Sequence, residues 1–156
     1  MAKPSRGLAC GPDEISDAIV AASRVLLEVS MNVLESAAPD LNLADLQVLT
    51  MLDRLGPQRL IDIAESLDVS PTTATRLADR LTERRMVDRV RQSSDRREVR
   101  LGLSAGGAEL VASVRRRRHR VVASRLKGLS IAEQSAAMGL LARIGGFDPE
   151  TKAETA

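Results

Sequence analysis

The strongest constraint on this chain is a change of hydrophobic period partway along it. Up to Leu81, apolar residues recur at three- and four-residue spacing, which puts them on one stripe of an α-helix. From residue 86 to residue 103 the spacing falls to two: Val87, Arg89 and Arg91, then Val99, Leu101 and Leu103, alternate with their neighbours. Period two belongs to a strand. The polar stretch from Gln92 to Arg97 between two such runs predicts a two-stranded hairpin with a charged tip. Just upstream, Ser70 and Pro71 mark a helix start, because a serine hydroxyl accepts an orphan amide and proline suits the first helical position. That helix runs through Leu77 and Leu81 to about Arg85. Residues 61–68, I-D-I-A-E-S-L-D, predict a short helix before it, with Val69 and Ser70 as the turn.

Further helices flank this segment. Ile15, Ala18, Ile19, Ala22, Leu26, Val29 and Val33 make one apolar stripe, which Pro39 closes. Asn42 followed by Asp45 caps a helix carrying Leu46, Leu49, Met51, Leu52 and Leu55, and Gly56 and Pro57 end it. Beyond the hairpin, Ser104 caps a long helix to about Lys127, whose Gly106 and Gly107 weaken local helicity by about 1 kcal/mol each, a cost that packing must offset. The capping box Ser130 and Glu133 opens a last helix that runs to Gly145 and Gly146. Residues 1–12, with Pro4, Gly7, Gly11 and Pro12, read as a flexible leader, and residues 148–156 as a flexible tail.

At 156 residues the chain has the size of one domain, with no room for a separate catalytic one. Phe147 is its only aromatic residue, so its core is aliphatic. One cysteine, Cys10, excludes an internal disulfide framework and a cysteine-based metal cluster, and one histidine, His119, leaves little for zinc. No apolar run approaches the roughly 18 to 20 residues needed to cross a bilayer, and no signal-peptide stretch opens the chain, which places it in the cytoplasm, away from membranes. No phosphate-cradling loop, nucleophile motif or metal-ligand cluster is present, so neither an enzyme nor a cofactor is expected.

The formal charge of +2 hides a segregation. Residues 11–55 hold two Arg against eight acids, −6; residues 70–103 hold nine Arg against five acids, +4; residues 104–127 hold seven bases against Glu109 alone, +6. A basic block joined to an acidic one points to a polyanion partner for one face.

From Leu60 to Ser104 the sequence resembles the multiple antibiotic resistance regulator (MarR) family of winged helix-turn-helix repressors. Three pieces carry the likeness: I-D-I-A-E-S-L-D-V-S-P-T-T-A-T-R-L-A-D-R-L, the tip S-S-D-R-R, and the strand-to-helix exit L-G-L-S-A-G-G. The order of helices extends it to roughly residues 13–146. The resemblance implies a mostly α fold with a small β-wing. Residues 41–104 would form the winged helix-turn-helix DNA-binding lobe, and residues 13–40 and 105–147 the helices of an intertwined homodimer. The apolar stripes of the first and last helices agree with this, since a thin helical layer would leave them partly exposed. The expected function is a sequence-specific DNA-binding transcriptional regulator, a repressor by resemblance, acting on a near-palindromic operator.

The first two turns of a recognition helix reach base edges and phosphates. Here they offer Ser70, Thr72, Thr73, Thr75 and Arg76, with Arg76 the expected base reader, since an arginine can make the bidentate contact to guanine. Arg80 and Arg84 lie four and eight residues further along the same face, where phosphate contact is expected. By resemblance, Arg97 at the wing tip enters the minor groove and Asp95 orients it, leaving Arg91 and Arg96 for phosphates.

The run Arg115 to Arg118, with Arg120, is expected to be a solvated or ion-paired helix face, with at least one stem packed inward, and His119 an ordinary surface residue. The family's habit of releasing DNA on binding a small lipophilic or anionic ligand implies such an effector here. With neither Tyr nor Trp in the chain, its pocket would be aliphatic, with arginine as the anion's partner. Cys10, with no second cysteine and no tyrosine, is not expected to sense peroxide. Two rival readings remain: a winged-helix module that docks proteins, and a nonspecific architectural DNA binder.

Overall fold

A computed structural model of the chain describes residues 11–91 and 99–145. The expectations for Cys10 and most of the leader, for Asp95, Arg96 and Arg97 at the hairpin tip, and for Phe147 and the tail lie outside the described residues. The element order is α1 (Pro12–Ala37), α2 (Leu43–Leu55), β1 (Gln58–Arg59), α3 (Leu60–Leu67), α4 (Pro71–Glu83), β2 (Val87–Arg91), β3 (Val99–Leu103), α5 (Ala105–Leu126) and α6 (Ile131–Gly145). The mostly helical class with a small antiparallel sheet is what the change of period predicts.

The chain separates into two units at the Arg118–His119 bond. In the first, one aliphatic core joins Leu34 of α1, Leu46 and Leu49 of α2, Ile63 of α3, Leu77 and Leu81 of α4, Val87 of β2, Leu101 of β3, and Leu110 and Val114 of α5. Fully burying such a side chain contributes about 1.5 to 3 kcal/mol. The expected hairpin forms in full register from Val87 opposite Leu103 to Arg91 opposite Val99. A third strand was not expected: β1 pairs with the other edge of β3, Gln58 opposite Leu101 and Arg59 opposite Arg100. Two residues cannot display a period, so only the pairing reveals it. Gly56 makes the approach, with φ at 73°, a conformation that side-chain-bearing residues rarely adopt.

At the exit from β3, the Ser104 hydroxyl donates to the Arg85 carbonyl at 2.7 Å and accepts from the Gly107 amide at 3.1 Å. Gly107 is more than a weak helix former here. A Cβ on it would stand 2.1 Å from the Met86 carbonyl oxygen, so glycine is the residue that lets α5 start against the β2 entry. In the second unit, the Glu133 carboxylate accepts from the Ser130 amide at 2.8 Å and from its hydroxyl at 2.7 Å, and α6 follows. No residue of α6 is buried, and Ile131, Met138, Leu141 and Ile144 are at least half exposed. Among the described residues, no helix is long and apolar enough to cross a membrane.

Candidate nucleic-acid interface

The start of α4 is set by Ser70, whose Oγ accepts from the Thr73 amide at 3.2 Å and lies 2.9 Å from the Thr73 hydroxyl. Thr75, itself exposed, donates its hydroxyl back to the Pro71 carbonyl at 2.9 Å. Thr72 and Arg76 are exposed and make no hydrogen bond or ion pair among the described residues. Ala74, Leu77, Ala78 and Leu81 bury the opposite face of the same helix. The first two turns therefore expose Thr72, Thr75 and an Arg76 unpaired among the described residues, on a helix packed by its other face.

The second half of α4 is different. Arg80, expected at a phosphate, directs Nε and Nη2 to a single carboxylate oxygen of Asp45, at 3.1 and 2.6 Å. That Asp45 side chain is wholly buried, whereas Arg80 keeps 36% of its surface. Arg84 is paired with Asp40 in the turn before α2. Asp79 accepts from Arg89 of β2 at 2.8 Å, and both are half exposed. Three charged links thus hold the C-terminal half of the helix to α2, to the turn before it and to the hairpin. Thr73, Arg76 and Arg80, with Asn42 and Val69, line a cleft of about 330 Å³.

In the hairpin, Arg91 closes β2 opposite Val99. Asp95, Arg96 and Arg97 fall in the undescribed tip. The residue that sequence reasoning missed is Asp45. It was visible as the partner of Asn42 in the cap of α2, and there its amide donates to the Asn42 side chain at 3.1 Å while its carboxylate accepts from the Asn42 amide at 2.8 Å. Its second partner is 35 residues away, a distance across which no local spacing rule reaches.

The arginine run on α5 divides by side. Arg115 pairs with Asp53 at 3.3 Å and Arg116 with Glu109 at 2.6 Å, while Arg117, His119 and Arg120 are exposed. Arg118 turns inward, and its Nε donates to Ser30 Oγ at 2.7 Å. Ser30 is fully buried and passes its own hydroxyl hydrogen to the Leu26 carbonyl at 2.6 Å. Burial pushes the Arg118 guanidinium below the usual arginine range. The same residue, with Arg54, Met51, Leu46 and Leu67, lines a cavity of about 430 Å³.

Comparison with known proteins gives a consistent result. Residues 41–99 match the MarR family model. The HTH-type transcriptional repressor MdtR of Bacillus subtilis (strain 168) is 31% identical over 101 residues, 65% of this chain and 65% of that protein. The match thus spans just under two-thirds of the relative's length. Among solved structures, RV1404 from Mycobacterium tuberculosis is similar with a TM-score of 0.71 and 27% identity, covering 87% of this chain and 95% of that one. MepR of S. aureus, solved bound to an oligodeoxyribonucleotide, shares the fold, with a TM-score of 0.62 at 19% identity over 85% of this chain and 96% of that one.

Proposed function

We propose, for a chain whose residues 41–99 match the MarR family model, that it is a sequence-specific DNA-binding transcriptional regulator. It acts as a repressor, on a near-palindromic operator, as a cytoplasmic homodimer whose role is binding and not catalysis. The observation that carries this reading is the open first half of α4: Thr72 and Arg76 are exposed and uncommitted on a helix whose other face is packed. An element held that way can enter a major groove without rearranging. The repressor activity of MdtR and the oligodeoxyribonucleotide on MepR support the same reading. Dimerisation is supported by the apolar surface of α6, with Ile131 at 85% and Ile144 at 55% exposure. In α1, Val20, Leu27 and Met31 are exposed as well.

Selection of bound sequences from random duplex tests the whole statement. The expected product is an inverted repeat whose half-sites lie about 34 to 36 Å apart, one turn of duplex. Its affinity should exceed nonspecific binding by about a thousandfold or more. A ratio near one would identify an architectural binder, and no binding at all would favour a docking module.

A second part of the proposal concerns release. The 430 Å³ cavity holds an arginine that is half-buried, fixed at Nε by Ser30 and without a carboxylate partner among the described residues. Its outer nitrogens suit a small lipophilic anion, whose binding would be coupled to DNA release by about 1 to 3 kcal/mol. Titration of the operator complex with aromatic and aliphatic carboxylates, repeated on Arg118→Met, should show release by the wild type alone. Equal release from both proteins would remove the cavity from the mechanism.

A further inference from the structure

We propose that Asp45, whose side chain is wholly buried, is a positioning residue for operator recognition that acts through Arg80. The inference rests on the DNA-binding reading and assigns a role that the recognition-helix residues themselves do not explain. One carboxylate does two things at once. Its Oδ2 takes the amide that opens α2, at 2.8 Å, and its Oδ1 takes two nitrogens of Arg80 in α4, at 2.6 and 3.1 Å. A guanidinium held by two bonds to one oxygen has its direction fixed as well as its distance. The start of α2 and the middle of the recognition helix are therefore joined through a single side chain with no exposed surface.

Two consequences follow for DNA. Arg80 sits one turn beyond Arg76 and lines the same cleft, so the link sets how deep and at what angle the reading end of α4 is presented. It also withholds a positive charge. An arginine satisfied by a buried carboxylate contributes little to phosphate contact, whereas a freed one, already 36% exposed, would reach any nearby phosphate whatever the sequence. Asp45 thus raises discrimination by restraining the indiscriminate cation beside the reader. The neighbouring links, Arg84 to Asp40 and Arg89 to Asp79, are exposed at both ends and lack this fixed geometry.

The test is Asp45→Asn in the full chain, titrated against its selected operator and against unrelated duplex over a range of salt. Asparagine keeps an oxygen for the Asn42 amide and removes the charge that holds Arg80. The expected result is tighter binding to unrelated duplex and a steeper salt dependence, by about 0.9 in slope for each Arg80 released. The ratio of specific to nonspecific affinity should fall by about fivefold or more, the low end of what one mismatched base pair costs. A purely structural role would weaken both duplexes together at unchanged slope, and that pattern overturns the proposal, as does a ratio equal to that of wild type. Arg80→Lys guards against misfolding, since it keeps the charge but cannot make the paired contact; it should lower the same ratio, and an unaltered ratio likewise overturns the proposal. If the wild type itself shows no preference among duplexes, it is the regulator reading that fails.

Discussion

At the start of α2, Asn42 and Asp45 bond each other's backbone amides, and at the start of α6 Ser130 and Glu133 do the same. Locally the two devices are equivalent. Asp45, however, is wholly buried and carries Arg80 as a second partner, while the exposed Glu133 carboxylate bonds only Ser130 among the described residues. The helices behind them differ in the same sense: six residues of α2 are buried, and none of α6. A capping box therefore says where a helix begins and nothing about what the helix is for. That is decided by which apolar face finds a partner inside the chain and which is left for another molecule.

The largest expected effect tests the buried side of this contrast. Arg80→Ala strands the Asp45 carboxylate without its cation, and breaking a buried pair in this way costs about 3 to 5 kcal/mol. Urea unfolding measures it, and a loss below about 1 kcal/mol would mean the pair behaves like an exposed one. Next in size, Arg76→Ala should leave stability alone and cost about 1 to 3 kcal/mol of discrimination at one or two operator positions. Uniform weakening across sequences would instead make Arg76 a phosphate contact.

On the other side of the comparison, Leu141→Glu puts a charge on the exposed apolar surface of α6. Dissociation of the proposed dimer, measured by sedimentation, should rise by about tenfold or more, equivalent to about 1.4 kcal/mol, while the first unit stays folded. A dimer of unchanged strength would mean that α6 is not part of the interface. Arg97→Ala, at the position expected to enter the minor groove, should weaken the operator complex and lower its salt slope by about 0.9 per subunit; unchanged affinity and slope would remove Arg97 from the DNA contact.

The smallest effect is the exposed cap. The hydrogen bond from Ser130 holds the Glu133 carboxyl below its ordinary range. A lowered value in the folded chain means that this stabilisation is present at neutral pH and is lost as the pH falls through the lowered value. Amide exchange at the start of α6 should accelerate on acidification in the wild type and be insensitive to pH, beyond its intrinsic rate, in Glu133→Ala. Identical profiles would show that the cap does nothing for α6.

Much of the fold was legible before any coordinates. Ser70 with Pro71, Ser130 with Glu133, and the alternation from Val87 to Leu103 are local patterns, and each reports on a hydrogen bond spanning a few residues or a ladder closed by one turn. The exposed start of α4 was legible for the same reason, because a helix start dictates which side chains leave it first. Gly107 was half legible. Its type announced weak helicity, but the 2.1 Å approach to the Met86 carbonyl that requires glycine is a contact between elements.

What the amino-acid sequence determined by itself is therefore the helices and the hairpin, their approximate ends, and the side chains exposed at the start of α4, since these depend on neighbours within about four positions. Tertiary structure alone decided β1, the inward turn of Arg118 onto Ser30, and above all the second life of the α2 cap. Asp45 is an ordinary N-terminal acid until packing removes it from water. Once buried it must be paired, and folding brings Arg80 of α4 within reach.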